Sequence, residues 1–314
     1  MNKQYAVIGN PVLHSLSPLI HQRAFDYYGI EARYFAYEVD DFAGFMQYFR
    51  EGKTEDPEKN FVPYSYLGSQ SDLYQGNLSL IPYEEKDYSF PVQGLSITLP
   101  YKKNVLEVAD IVSYKARLSG AANTLYWHEG KLVAENTDIA GFFAPIKKYF
   151  QKKKKNAPFT SAMIYGAGGA ACAALVAVLH LLNLERIYIC ARREEQALGL
   201  IVHLKNHFAL LRRHRLNSKV GIGYIPMNHD EFTCDLVVNT IPQWSEDATS
   251  PRDNFEGVRF AYDLTYKETP FLAKAQEYGA YCQDGKNMFI EQAKAQFKLW
   301  TGKDIPAECY EDIF

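Results

Sequence analysis

Four polar clusters in the first half of the chain carry side chains able to do chemistry. Ser15-Leu16-Ser17-Pro18 places two hydroxyls at i and i+2 just before a helical pattern. Ser96-Ile97-Thr98-Leu99-Pro100-Tyr101-Lys102 alternates like a strand, stops at Pro100 and delivers a lysine just past its end. Gly120-Ala121-Ala122-Asn123-Thr124 and Glu135-Asn136-Thr137-Asp138-Ile139-Ala140-Gly141 each set an amide or carboxylate beside small residues. Together, hydroxyl, amide and carboxylate groups suit recognition of a polyol. A lysine can give or take the proton as a carbonyl and an alcohol interconvert, and a carboxylate can position that lysine. Each cluster also has a plainer role: Ser17 as an N-cap, Thr137 and Asp138 as caps of the helix that follows, Lys102 as a surface residue.

The second half holds one glycine loop. Tyr165-Gly166-Ala167-Gly168-Gly169-Ala170-Ala171 fits G-x-G-x-x-A and falls between an apolar strand pattern and a helical one, where a dinucleotide fingerprint must lie. Gly166 permits the tight turn, Gly168 lets the backbone approach a pyrophosphate, and Ala171 lets the helix pack closely on the sheet. The helix N-terminus offers unpaired N–H groups to the anion. A ligand-free glycine turn is the plainer alternative. The next strand ends in Cys190-Ala191-Arg192-Arg193, with no carboxylate before Glu194 to accept from a ribose 2′-hydroxyl. Two guanidinium groups can pair a 2′-phosphate, which favours NADP over NAD.

The elements that must position these clusters follow from short apolar runs alternating with helical spacing, the pattern of βαβ units in an α/β protein with a largely parallel sheet. Strands are predicted at Tyr5–Ile8, Arg33–Val39, Leu95–Leu99, Ala162–Tyr165, Arg186–Cys190, Leu236–Asn239 and Phe260–Leu264. Helices are predicted at Pro18–Tyr28, Phe42–Phe49, Asn104–Ser113, Ile139–Phe150, Ala170–Leu182 and Met288–Trp300, the first with Ser17 as N-cap and Pro18 at the first helical position. Between Glu51 and Pro91 the pattern dissolves into Tyr, Ser, Pro, Gly, Asn and acidic residues, too long for an ordinary connection and read as a packed insertion. Four lysines, Lys152–Lys155, read as a solvated linker.

Composition bounds the remaining choices. A length of 314 residues suits about two domains. With 34 Lys plus Arg against 37 Asp plus Glu, the net charge of −3 is far from the basic excess a nucleic-acid binder needs. The 47% hydrophobic and 23% charged residues exclude global disorder. No apolar run approaches a membrane span, and Met1–Asn10 lacks a secretory h-region, so neither membrane nor export is expected. Five scattered cysteines without a C-x-x-C pair suggest a reduced, cytoplasmic chain without a metal site. The aromatic content is high, with 23 Tyr, 19 Phe and 3 Trp.

Taken in order, Ser-x-Ser-Pro, T-x-P-[FY]-K, G-A-x-N-T, N-T-D-x-x-G and G-A-G-G-A resemble the shikimate dehydrogenase family over almost the whole chain. Tyr262-Asp263-Leu264-Thr265-Tyr266, Thr269-Pro270-Phe271-Leu272 and Asp284-Gly285 with Met288 and Gln292 extend the resemblance. It implies NADP-dependent interconversion of 3-dehydroshikimate and shikimate, on the route to chorismate and the aromatic amino acids. It implies that Ser15 and Ser17 hold the substrate carboxylate, and that Thr98, Asn123, Asp138, Tyr266 and Gln292 contact its ring and hydroxyls. Lys102 and Asp138 would be the catalytic pair. Gly166, Ala167, Gly168, Gly169 and Ala170 would form the pyrophosphate loop and Arg192 and Arg193 the 2′-phosphate clamp, with Leu264, Gly285 and Met288 near the nicotinamide. The implied architecture is a substrate domain over residues 1–140, with the insertion at 51–91, a Rossmann-type NADP domain over 141–284, and helices of 285–314 returning to the substrate domain, as a monomer or homodimer.

Departures from the family pattern touch the cofactor side more than the substrate side. Ser96 stands where the family usually has Asn. Ala191 and Arg193 replace the Asn and Thr of an N-R-T motif, and Gln196 sits where a second basic residue is common. Trp244 replaces a Gly, and Lys286-Asn287 replaces Leu-Gly. The alternatives are a paralogue of the same fold acting on quinate or a related hydroxy acid, a metabolite sensor of that fold without turnover, and an unrelated Rossmann-type or folate-type dehydrogenase. The last leaves Ser15-Leu16-Ser17 and Asn136-Thr137-Asp138 unexplained.

Overall fold

The computed structural model describes residues 3–52, 61–66, 80–82, 92–152, 158–181, 184–213, 219–228, 233–241, 255–266 and 268–313. Lys153–Lys155, Trp244 and most of the 51–91 segment lie outside them. In chain order the first elements are β1 (Lys3–Gly9), α1 (Ser17–Tyr27), β2 (Ala32–Glu38), α2 (Phe42–Arg50), β3 (Pro63–Tyr66), β4 (Leu80–Pro82) and β5 (Val92–Ile97). There follow α3 (Val105–Val108), β6 (Ile111–Val112), α4 (Tyr114–Ser119), β7 (Thr124–His128), β8 (Lys131–Glu135) and α5 (Asp138–Lys152). The rest are β9 (Ser161–Tyr165), α6 (Gly169–Leu181), β10 (Arg186–Ala191), α7 (Glu194–Asn206), α8 (Phe208–Arg213), β11 (Gly221–Pro226), β12 (Leu236–Asn239), β13 (Phe260–Asp263), α9 (Pro270–Glu277), β14 (Tyr281–Gln283) and α10 (Lys286–Thr301).

The chain divides into two compact units. Unit 1 is Met1–Ser113, Ala121–Thr137 and Ala293–Phe314; unit 2 is Tyr114–Gly120 and Asp138–Gln292. Both are α/β, and unit 2 has the doubly wound parallel sheet of a dinucleotide-binding fold, in the order β11-β10-β9-β12-β13-β14. Its central strands β9, β10, β12 and β13 are largely buried on both faces, which explains their continuous apolar runs. Helix α6 is apolar all round for the same reason: Ala171 and the run from Ala173 to Leu179 are all buried.

Unit 1 holds the order β4-β3-β2-β1-β5-β7-β8-β6. The expected largely parallel sheet is corrected here. Only β1 with β2 and β5, and β6 with β8, run parallel; β7–β8 is an antiparallel hairpin laid on β5. Its two-residue turn is Glu129-Gly130, both at positive φ (49° and 74°), the geometry that matches the twist of the flanking strands. The helix expected over Asn104–Ser113 is likewise cut short at Val108. Asp110 Oδ2 accepts the Leu132 N–H at 2.7 Å, and Ile111-Val112 pairs with Val133-Ala134 as a short strand. In the long segment after α2, Pro63–Tyr66 and Leu80–Pro82 extend the edge beyond β2, and Phe61 packs on Phe45 with ring centroids 5.1 Å apart.

Helix ends show the local chemistry. Asp41 caps α2 by accepting the Gly44 N–H. At the end of α1, Ile30 N–H returns to Phe25 O and Gly29 N–H to Asp26 O, with Gly29 at φ +60°, a Schellman closure that needs glycine. The expected Ser17 N-cap is corrected. Ser17 is the first residue of the helix, and the hydroxyl that accepts its N–H is that of Ser15, at 3.2 Å. Among the described residues no helix is long and apolar enough to cross a membrane.

Candidate active site

In unit 1 the two-residue spacing of Ser15 and Ser17 makes a small turn ahead of α1, and Ser17 is buried. The Tyr34 hydroxyl bonds the Ser17 side chain and donates to Ser96 Oγ at 2.6 Å; its own burial pushes it well above the usual phenol range. β5 ends at Ile97, and Thr98 continues its direction, donating its N–H to Ile8 O. Gly9 is required opposite: a Cβ there would collide with the Thr98 methyl. The turn after Thr98 carries Lys102, half-buried. Both sides of that turn are clamped. Tyr101 donates its hydroxyl to Val39 O and stacks on Phe42, and Lys102 O accepts the Ala122 N–H at 2.7 Å.

Next to Ala122 is Asn123, 2% exposed at the start of the β7–β8 hairpin. Its Oδ1 accepts the Thr137 N–H at 2.7 Å and the Thr124 hydroxyl at 3.0 Å, and its Nδ2 donates to Thr137 Oγ1 at 2.9 Å. Main chain reinforces this: Asn123 N–H donates to Glu135 O, and Asn136 Nδ2 to Ala121 O. The G-A-A-N-T and N-T-D clusters are thus one structure, the two ends of a single hairpin. Asp138, covalently next to Thr137, opens α5 and is 8% exposed.

In unit 2, Asp138 acts on Tyr266. Tyr266 is part-exposed as a residue, yet burial around its hydroxyl, with the Asp138 charge second, pushes the phenol up to about 12. The loop carrying Tyr266 is organised by Asp263, fully buried at the end of β13. Asp263 accepts from Thr265 N and Oγ1 at 2.9 Å each, from Asn239 Nδ2 at 2.9 Å and from Thr269 Oγ1 at 2.7 Å. Gly141, one turn after Asp138, touches α10 backbone to backbone. A Cβ there would meet Met288 O and, at 3.0 Å, Gln292 Cβ, so glycine sets how closely the helix bearing Met288 and Gln292 approaches that bearing Asp138. Gly285 is forced in the same way by Leu264 O.

The residues present fit a dinucleotide. Gly166 sits at φ +106°, and a Cβ on it would strike Thr240 Oγ1, which is fixed by donating to Tyr165 O. Gly168 and Gly169, by contrast, face open space, so the turn and the first N–H groups of α6 are bare toward an anion. Ala167 and Ala170 are both partly exposed around them. Arg192 and Arg193 follow β10, both exposed, and neither has an ion-pair partner among the described residues. Reading the sequence alone missed Tyr34, Thr124, Asp263 and Gln296. Gln296 stands one helical turn after Gln292, a spacing that was available as a signal.

Comparison with known proteins decides the family. The model "Shikimate dehydrogenase substrate binding domain" matches residues 7–55 and 85–125, and "Shikimate 5'-dehydrogenase C-terminal domain" matches 285–311. Shikimate dehydrogenase (NADP(+)) of Pelagibacter ubique is 30% identical over 100% of this chain and 98% of its own. The chain belongs to the shikimate dehydrogenase family. The Lactococcus lactis subsp. cremoris shikimate dehydrogenase (NADP(+)) is 31% identical, covering 96% of this chain and 93% of its own. Among solved structures, a shikimate 5-dehydrogenase from Mycobacterium fortuitum superposes with a TM-score of 0.70 at 25% identity, over 99% of this chain and 97% of that one. Family membership makes the chain an NADP-dependent oxidoreductase.

Proposed function

We propose that this protein catalyses the NADP-dependent, reversible reduction of 3-dehydroshikimate to shikimate, in the cytoplasm. The observation that carries the reading is the chain of contacts from Lys102 O to Ala122 N, from Asn123 to Thr137, and by one peptide bond to Asp138. Three clusters far apart in sequence are linked by it along the main chain, which supports reading Lys102, Asn123 and Asp138 as parts of one catalytic machinery.

Ser15 and Ser17 take the substrate carboxylate, and Thr98, Asn123, Tyr266 and Gln292 its ring and hydroxyls. Gly166–Ala170 would hold the pyrophosphate and Arg192 and Arg193 the 2′-phosphate, with Leu264, Gly285 and Met288 near the nicotinamide. When bound, the nicotinamide supplies or accepts hydride. The protein's own part is the proton: Lys102 Nζ gives it to the carbonyl oxygen in reduction and recovers it in oxidation, and stabilises negative charge developing on that oxygen. Asp138 is assigned as the other member of the catalytic pair, a carboxylate that can position that lysine.

Initial rates with shikimate and NADP+ test this. Lys102→Met is expected to lower kcat by about 10²–10⁴-fold with little change in shikimate KM. An unchanged kcat would remove Lys102 as the acid–base group.

A further inference from the structure

A buried run of polar groups in unit 1 ends on Asn123. Gln296, on α10 and 1% exposed, uses both ends of its amide. Nε2 lies 3.0 Å from the main-chain carbonyl of Asn123 and 3.0 Å from Thr124 Oγ1; Oε1 lies 3.0 Å from Ser96 Oγ and 3.3 Å from His21 Nε2. A main-chain carbonyl only accepts, so the end facing Asn123 O is the NH2 group and the end facing Ser96 is the carbonyl. Each neighbour is then determined. Ser96 spends its proton on Gln296, so Tyr34 donates to Ser96, and His21 is the second donor through its Nε2–H. Thr124 accepts from Gln296 and sends its own proton to Asn123 Oδ1.

The far end is fixed independently. The Thr137 main-chain N–H only donates, so the Asn123 atom 2.7 Å from it is the amide oxygen. Protons from Tyr34 through Ser96, and from Gln296 through Thr124 to Asn123, all point one way, and Gln296 is where the two halves meet.

We propose that Gln296 is a positioning residue for the substrate site: it holds the Asn123 main chain and, through Thr124, keeps the Asn123 side chain turned so that its N–H end serves the substrate. This rests on Asn123 being a substrate contact, as assigned above. Gln296 itself makes no contact with substrate. Its reach extends to the other side of the site as well, because the same amide secures Ser96, the partner of the Tyr34 hydroxyl that bonds Ser17.

Gln296→Glu keeps the size but sets an acceptor against Asn123 O and turns Thr124 round. We expect shikimate KM to rise about tenfold, the scale of a lost bond to a buried polar group, with NADP+ KM held to within about twofold. The side-chain amide resonances of Asn123, assigned by their loss in Asn123→Asp, should shift. Thr124→Val removes the relaying hydroxyl without adding charge and should give the same split, more weakly; it decides the matter if the glutamate variant does not fold. A folded variant with unchanged shikimate KM and unmoved Asn123 resonances overturns the proposal, as does a lower Tm with both Michaelis constants unchanged. Wild-type protein that fails to turn over shikimate overturns the functional reading instead, and the Asn123 resonances, read without substrate, still decide the role of Gln296.

Discussion

His21 shows how a single side chain ties the site to stability. It is fully buried, stacked on Tyr34 at 4.7 Å and tilted against Trp300 at 5.0 Å, and burial drives its pKa from the ordinary 6.5 down to about 3. The folded protein therefore keeps it neutral, with the proton on Nε2 facing Gln296, while the unfolded chain takes up a second proton below pH 6.5. Stability from this source is complete above pH 6.5 and is lost as pH falls toward 3. At about 1.4 kcal/mol per pH unit the loss is about 2 kcal/mol at pH 5. Urea unfolding at pH 7.5 and pH 5 should show wild type losing about that much more than His21→Leu; equal losses would mean the imidazole is not held neutral. Nothing in the sequence around His21 marks it, because its partners come from β2 and α10, and a lone histidine in a helix has no spacing signature.

At the scale of elements, the β7–β8 hairpin and the α5–α10 contact set the geometry. Glu129 pays a conformational penalty at φ 49°, a region that suits asparagine better. Glu129→Asn should raise Tm by a few degrees, for a gain of about 0.5–1 kcal/mol, without changing kcat. Gly141→Ala should do the opposite: its methyl drives α10 away through Met288 O, raising shikimate KM and lowering Tm together. A Gly141→Ala enzyme with wild-type KM would show that this close approach does not govern Gln292. Most strands and long helices were legible in the sequence because continuous apolar runs and helical periods reflect burial directly. The hairpin was not, since Trp127-His128 and Lys131 alternate weakly and the Glu-Gly turn lacks the usual Asn or Asp. Nor was the early end of α3, which depends on Asp110 reaching a main-chain N–H 22 residues away.

At the scale of the molecule, the ordered motifs sufficed to name the family, since its glycine loop and polar clusters follow one another at characteristic spacing. Among the residues that hold those groups still, Tyr34 and Gln296 have partners remote in sequence, while Thr124 and Asp263 stood inside legible motifs whose residue types alone do not show which hydroxyl or carboxylate anchors the rest. Under the proposed assignment, cofactor choice is read at Arg192 and Arg193, just past β10. Saturating NADPH, at about 100 Kd, should stabilise the protein by about 2.7 kcal/mol. Replacing both arginines by alanine should abolish most of that Tm shift while leaving the smaller one given by NADH; an NADPH shift that survives would move the 2′-phosphate elsewhere. The most direct measurement is kcat/KM for shikimate and for quinate, each with NADP+ and with NAD+. The account predicts that shikimate with NADP+ exceeds every other pair. No NADPH formation from shikimate, or a higher value with quinate or with NAD+, would contradict it.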